Sequence, residues 1–426
     1  MSKSRYQAPK GTRDIMVPES NRISSVLKVF EDTLNSGGYG QIISPLFEEI
    51  GVFQRIGGSS EVVTKEMFDF YDKDPKSPQH LALRPELTAS ICRAFAQHRP
   101  VTPWKVWYQG PQFRYEKPQA GRYRQFLQVG AELLGTPDPH ADIEIIAIAS
   151  NFFRKIGLSG IKLLLNSLGD ANSRKSYNKA LVEYFASNQE DLSEQSQETM
   201  LKNPLRVLDS KRQEDQGVIE GAPLITDFLN SDSVNHFHIV QDGLSLLGID
   251  YELTPRLVRG LDYYTKTTFE FVAPNLDSAQ NAVGGGGRYD GLVEALGGPP
   301  TEGIGFAIGI ERTLMACEAE NILDSSVQSL EVFIVDTTGG KEALVLSEEL
   351  RQIGIRVDRS FDQRSMKAQM KAADRSGAEL AIIIGTDELN ENQVTLRDLR
   401  GEGTQTVLDR QSLSKKLPKI LEETRK

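Results

Sequence analysis

Cysteine is almost missing from this chain. Cys92 and Cys317 are the two in 426 residues, and they lie far apart. No CxxC pair and no Cys/His cluster accompanies them, so neither a disulfide framework nor a structural zinc site is expected, and the compartment that fits is a reducing cytoplasm. No apolar run reaches the roughly 20 residues of a membrane span, and the N-terminus shows no signal-peptide architecture, so no membrane is expected. No GxxxxGK[ST] loop occurs, which disfavours a P-loop ATPase. The glycines at 303, 305 and 309 are spaced G-x-G-x-x-x-G with no βαβ unit following, which is not a dinucleotide fingerprint. The net charge of −10 gives no global sign of nucleic acid. Internal repeats and low-complexity tracts are absent as well.

What remains is ordinary globular material, 39% hydrophobic and 25% charged, long enough for two to three domains. Ile23, Val26, Leu27, Phe30 and Leu34 follow the helical period over 20–36, and Gly37-Gly38 ends that helix. Residues 41–48 (QIISPLFE) read as a strand interrupted by Pro45, which belongs at an edge or an interface because proline cannot donate to a ladder. Residues 79–88 (QHLALRPELT) read as a strand stopped at Pro85. A helix follows from Leu87, with Glu86 and Thr88 at its start, where such residues often only cap backbone N–H groups. Apolar helix 141–156 and strand 161–165 come next. Residues 170–228 are polar and helix-like and read as a helical insertion. A helix over 234–247 precedes the return of strand patterning at Tyr251. The run Gly284–Gly287 predicts a loop whose backbone approaches a ligand closely, just before Arg288-Tyr289-Asp290 and a helix beginning near Leu292. Residues 303–313 (GIGFAIGIERT) read as a strand running into a helix. After a short linker, 324–330, strands and helices alternate tidily over 331–426 as a small α/β domain. The expected organisation is therefore a first domain over 1–169 and 229–324, an insertion over 170–228, and a terminal domain over 331–426.

The most informative stretch is Trp107 to Leu133, two strands joined by the turn-forming 116–121. In the second strand Arg122, Arg124, Phe126, Gln128, Gly130 and Glu132 fall on one face. Tyr123, Gln125, Leu127, Val129, Ala131 and Leu133 fall on the other, which is mostly apolar. The first face, joined by Arg114, carries cations, an aromatic ring, an amide and a carboxylate. Those groups suit a nucleotide and a small amine-bearing substrate, although a charged strand face is more often simply solvated. A second charged feature is the seven cations between Arg351 and Arg375 (Arg351, Arg356, Arg359, Arg364, Lys367, Lys371, Arg375), set against three aspartates. Such a patch is ordinarily a solvated helix face.

Taken together, the pieces resemble a class II aminoacyl-tRNA synthetase, and within that class the bacterial histidyl-tRNA synthetases, over essentially the whole chain. The 20–48 helix and strand resemble motif 1 loosely. Phe113 to Glu132 (FRYE…GRYRQF) is similar to motif 2, and GIGFAIGIERT to motif 3. The stretches LVRGLDYYT (257–265) and GGRYDGL (286–292) are similar to signatures peculiar to the histidine enzymes. The resemblance implies an α+β catalytic domain with an antiparallel sheet, a helical insertion, a C-terminal α/β anticodon-binding domain, and a homodimer. It implies the partners ATP, L-histidine and tRNA(His). The implied reaction forms histidyl-adenylate and then transfers histidine to the 3′ end of the tRNA, releasing AMP and diphosphate. Magnesium would accompany the ATP phosphates, and no zinc is implied.

Residue by residue, the resemblance gives Arg114 and Arg259 the catalytic roles at the α-phosphate and the histidine carboxylate. Phe126 and Arg312 would sandwich the adenine, with Arg122 and Arg124 on the distal phosphates or the tRNA end. Glu86, Thr88 and Gln128 would meet the α-amino group. Glu132, Tyr264 and Tyr289 would face the imidazole, with Tyr263 beside them. A carboxylate and a phenol can satisfy both ring nitrogens, and the groups left unpaired by a wrong amino acid would reject it by roughly 10⁴-fold in favourable precedents. Leu87 and Leu127 stand where many relatives have glycine and histidine. Leu127 lies on the apolar face, away from substrate, whereas Leu87 flanks Glu86 at the pocket rim. The basic patch gains a role against the anticodon stem-loop. The competing reading is a synthetase-like regulatory subunit that binds histidine without charging tRNA. Such paralogues typically lose RGLDYYT and the anticodon-binding domain, and both are present here.

Overall fold

The computed structural model describes residues 6–57, 61–257, 263–277, 281–322, 330–361 and 364–424, and the chain forms two compact units, Met1–Asp324 and Ser325–Lys426. The first unit is built on an eight-stranded sheet. Its strands run in the order Gly40–Gln41, Trp104–Phe113, Gln125–Leu134, Gly303–Gly309, Ala282–Arg288, Thr265–Val272, Lys162–Ser167, Glu252–Leu253. Every pairing is antiparallel except the two outermost, where the two-residue strands pair in parallel.

One face of this sheet is covered by helices. Helix Glu19–Ser36 buries Ile23, Val26, Phe30 and Leu34. Phe30 meets the rings of Phe152, Trp107 and Phe306 edge-on at 5.2, 6.0 and 6.2 Å. Helix Pro139–Lys155 starts where Asp138 accepts a hydrogen bond from the His140 N–H and Pro139 fills the first turn, and it buries Ile145, Ile146, Phe152 and Phe153. Truncating a fully buried ring such as Phe30 would cost about 3–5 kcal/mol. A smaller sheet orders Phe47–Glu49, His80–Leu83 and Phe68–Tyr71.

The 41–48 stretch is not one strand. Gly40–Gln41 joins the large sheet and Phe47–Glu49 the small one, because Pro45 breaks the ladder between them. Gly284–Gly287 is not a loop either. It lies within strand Ala282–Arg288, paired on both sides, and none of the four glycines has a positive φ. A Cβ on Gly286 would lie 2.0 Å from the Gly305 carbonyl oxygen, so the missing side chains permit close strand packing rather than a turn.

Between 171 and 228 the described residues form helices and the turns between them, with no strand. They enclose their own apolar cluster around Tyr177, Leu181, Phe185, Val207 and Ile225. Helix Ser231–Leu246 then packs back on the main core through Phe237, Val240 and Leu244. In the second unit the sheet order is Val357–Arg359, Val332–Asp336, Leu380–Ile384, Gln393–Asp398, Gln405–Asp409, parallel in its first three strands and antiparallel in the rest. The strand Gln405–Asp409 and the short helix Thr386–Asn390 are additions to the sequence reading. The linker residues 323–329 and the signature residues 258–262, Arg259 among them, lie outside the described residues.

Candidate active site

The face of the large sheet opposite the core carries a cavity of about 360 Å³. Strand Gln125–Leu134 supplies its axis. Val129, Ala131 and Leu133 point into the core at 0, 0 and 3% exposure. By alternation Phe126, Gln128 and Glu132 point the other way, and Phe126 and Gln128 line the cavity.

Glu132 is fully buried and accepts three hydroxyl hydrogen bonds, from Tyr289 at 2.6 Å, Thr88 at 2.8 Å and Tyr108 at 3.1 Å. Burial pushes its carboxyl up to about 8, and Glu86 adds to the rise against the lowering effect of the three hydroxyls. Space for the carboxylate comes from the neighbouring strand, where Gly305 is its register partner. A Cβ there would lie 1.6 Å from Glu132 Oε2, and one on Gly303 would lie 2.2 Å from the Tyr289 ring. Tyr263 completes an aromatic wall, 6.0 Å from the Tyr289 ring and 4.7 Å from that of Tyr264.

Glu86 lines the same end and performs the capping duty its position suggested. Its Oε1 accepts from the Ala89 N–H at 2.9 Å at the start of helix Thr88–His98. Burial raises its carboxyl, partly offset by backbone N–H groups and by Arg114. Gln128 Oε1 is buried without a hydrogen-bond partner, an acceptor facing a cavity. An unmade bond of this kind is costly unless a ligand completes it.

Arg114 leads toward the other end. Its Nε donates to the Pro85 carbonyl at 2.9 Å, and its guanidinium lies 5.2 Å from the Phe126 ring centroid. Arg312, on helix Ile310–Ala319, donates to the carbonyls of Ala282 at 2.9 Å and Gly121 at 3.3 Å. Arg122 lines the cavity, paired with Glu116 at 2.7 Å. Arg124 is not among the lining residues, and Tyr123 is. Arg124 instead lies over the Tyr115 ring at 3.6 Å. The strand begins only at Gln125, so two-residue alternation does not govern 122–124, which belong to a turn.

Leu127 lies off the cavity, as its face predicted, with its N–H donating to both Glu311 oxygens at 2.9 and 3.1 Å. Leu87 lines the cavity beside Glu86. Three lining carboxylates, Glu116, Glu270 and Glu311, were not singled out from the sequence. Glu270 had a signal, a lone charge between Phe269 and Phe271, which are 0 and 2% exposed. Among the described residues no His, Cys, Asp and Glu cluster could hold a metal, and no helix is long and apolar enough to cross a membrane.

An antiparallel sheet with helices packed on one face and arginine, aromatic and carboxylate groups on the other, followed in the chain by a separate α/β unit, is the arrangement expected of a class II aminoacyl-tRNA synthetase. The family model described as histidyl-tRNA synthetase matches residues 11–313, and one described as an anticodon binding domain matches 331–420. The chain is 46% identical over 414 residues to a histidine–tRNA ligase of Rhodococcus erythropolis, covering 96% of each chain. It is 44% identical over 401 residues to that of Lactococcus lactis subsp. cremoris, covering 92% of each. It superposes on apo histidyl-tRNA synthetase from S. aureus with a TM-score of 0.80 at 37% identity, covering 96% of this chain and 99% of that one. The chain belongs to the histidyl-tRNA synthetase family.

Proposed function

We propose that the chain activates L-histidine with ATP and transfers it to the 3′ end of tRNA(His), releasing diphosphate and AMP. One observation carries the histidine assignment. A fully buried carboxylate, Glu132, is held by the hydroxyls of Thr88, Tyr108 and Tyr289, which themselves line a cavity that also offers Arg114, Phe126 and Arg312. In this reading the imidazole sits against Glu132 and Tyr289, with Tyr264 alongside and Tyr263 behind. The α-amino group meets Glu86, Thr88 and the vacant acceptor of Gln128. Charging a buried carboxylate is unfavourable unless a donor pairs with it, so a side chain lacking ring N–H groups is rejected.

Arg114, fixed by the Pro85 carbonyl, stands between the amino-acid and nucleotide ends. There it aligns the histidine carboxylate and the α-phosphate, while Phe126 and Arg312 hold the adenine. Attack of the carboxylate oxygen on the α-phosphorus expels diphosphate. The chain's contribution to that step is position and fixed positive charge. In the second step a ribose hydroxyl of the terminal nucleotide attacks the histidyl carbonyl carbon and AMP leaves. Arg259 keeps its family role on the far side of the α-phosphate, and Arg122 serves the distal phosphates. Arg124, packed on Tyr115, is better suited to shaping the turn over 116–124 or meeting the tRNA end.

Magnesium fits as a companion of ATP rather than as a resident ion. The carboxylates lining the cavity are Glu86, Glu116, Glu270 and Glu311, with Glu116 paired with Arg122 and Glu311 bonded to the Leu127 N–H, and magnesium is commonly held by one or two carboxylates plus substrate phosphates. When bound, it would neutralise phosphate charge.

The second unit would read the anticodon loop through the cations between Arg351 and Arg375. A homodimer is supported by apolar exposure where the motif 1 segment crosses between sheets, with Ile43 85% and Phe47 49% exposed. The cytoplasm suits a chain with two buried thiols and a tRNA substrate.

Incubation with labelled histidine, ATP and bulk tRNA tests the transfer. Label should become acid-precipitable, and periodate oxidation of the tRNA ends should abolish it. Adenylate formation without transfer would favour a regulatory histidine-binding protein instead.

A further inference from the structure

Behind the amino-acid pocket lies a second set of ionisable groups that the reaction does not touch. Arg288 is fully buried at the end of strand Ala282–Arg288, immediately before Tyr289. Its Nη2 and Nε bond Asp142, the latter at 3.1 and 3.3 Å, and Asp142 is itself fully buried on helix Pro139–Lys155. The remaining guanidinium hydrogens reach the carbonyls of Thr136 at 3.0 Å and Asp138 at 3.2 Å. His236, 7% exposed on helix Ser231–Leu246, meets the other side of Asp142 at 3.2 Å. On the far side of the tyrosine, Asp290 pairs with Lys266 at 3.2 Å and lies 3.5 Å from Arg288. Tyr289 is thus flanked in sequence by two anchored residues, and its own N–H donates to the Gly303 carbonyl at 2.8 Å.

A buried charge pair is a poor way to gain stability alone, because desolvation offsets most of the attraction and an apolar pair of equal volume often does as well. What it supplies is direction. A guanidinium fork saturated by one carboxylate and two carbonyls admits one orientation. Burial opposes ionisation of Asp142, but the bonds from His236 and Arg288 prevail and hold its carboxyl below the usual range. The pair is therefore a charged, rigid strut between a core helix and the residue next to the pocket tyrosine.

We infer that Asp142 and Arg288 are positioning residues for amino-acid recognition, fixing the end of strand Ala282–Arg288 so that the Tyr289 hydroxyl meets Glu132. This rests on the histidine pocket proposed above. They act through Tyr289 and touch neither substrate nor nucleotide.

A double-mutant cycle on the full-length chain tests it. Histidine-dependent ATP–diphosphate exchange by the unmodified chain first establishes the pocket; its absence would sink that reading and not the strut. Asp142→Asn keeps size while removing the charge and one of the two oxygens that accept from Arg288. It should raise KM for histidine roughly 10-fold or more and leave KM for ATP within about 2-fold, because small misplacement of a binding group is costly. In a Tyr289→Phe background the same change should have little further effect, since the group it positions is gone. If Asp142→Asn does not fold, His236→Gln, which alters the other contact to Asp142, is taken through the same cycle. Equal effects in the two backgrounds, or a fall in Tm with the histidine KM unmoved, would reduce the cluster to core structure and overturn the inference.

Discussion

Tyr289 donates its phenolic hydrogen to Glu132 across 2.6 Å, although a whole strand lies between the two in the sheet. Glu132 lies on strand Gln125–Leu134, Tyr289 follows strand Ala282–Arg288, and Gly303–Gly309 runs between them. The contact exists because Gly303 and Gly305 put no side chain in the way. Gly305→Ala would set a Cβ 1.6 Å from Glu132 Oε2, the oxygen that accepts from Tyr289, in a carboxylate whose other oxygen is held by Thr88 and Tyr108. We expect a loss of about 1–3 kcal/mol in stability and a fall on the order of 100-fold in histidine-dependent exchange, with ATP affinity less affected. Gly40→Ala, whose Cβ meets nothing within 4 Å, should change neither. Thermal unfolding and exchange kinetics on the two variants make the comparison.

The same relationship shows what sequence can and cannot convey. Period-two alternation placed Phe126, Gln128 and Glu132 on one face and Val129, Ala131 and Leu133 on the other, because the pleat applies throughout a paired strand. It failed for Tyr123 and Arg124, which precede the strand: Tyr123 lines the cavity and Arg124 does not. Gly284–Gly287 read as a loop because glycine has weak strand preference, yet pairing on both sides holds it extended. That Gly305 makes room for Glu132 is a relation between residues more than 150 positions apart, which local pattern does not encode. That Glu86, Arg114, Arg122, Arg312 and the three tyrosines gather at one cavity was legible through the resemblance to the family motifs; the pairing of Arg288 with Asp142 was not.

The raised carboxyl of Glu132 predicts a pH dependence. Its value of about 8 in the folded chain exceeds the ordinary 4.5, so the folded state holds a proton that the unfolded state releases. The penalty is absent below about pH 4.5, grows between there and 8, and is constant above, reaching about 5 kcal/mol. Glu132→Gln removes this term. Its Tm should therefore gain on that of the unmodified chain as pH rises from 5 to 9, and parallel curves would contradict the assignment. The variant should also raise KM for histidine on the order of 10- to 100-fold, because its amide NH2 cannot accept a hydrogen bond where a carboxyl oxygen did.

For the second unit, charge reversal at Arg364 and Lys367 should weaken tRNA binding and flatten its salt dependence by about 0.7–0.9 per lost phosphate contact. Diphosphate exchange without tRNA should be unchanged. An unaltered aminoacylation rate and salt slope would leave the patch a solvated face.

The most direct test of the account is amino-acid-dependent ATP–diphosphate exchange without tRNA, run over all twenty amino acids, with Arg114→Ala and Arg259→Ala alongside. Exchange should occur with histidine alone and be lost in both variants. Exchange with a different amino acid, or none from folded chain that binds ATP, would contradict it.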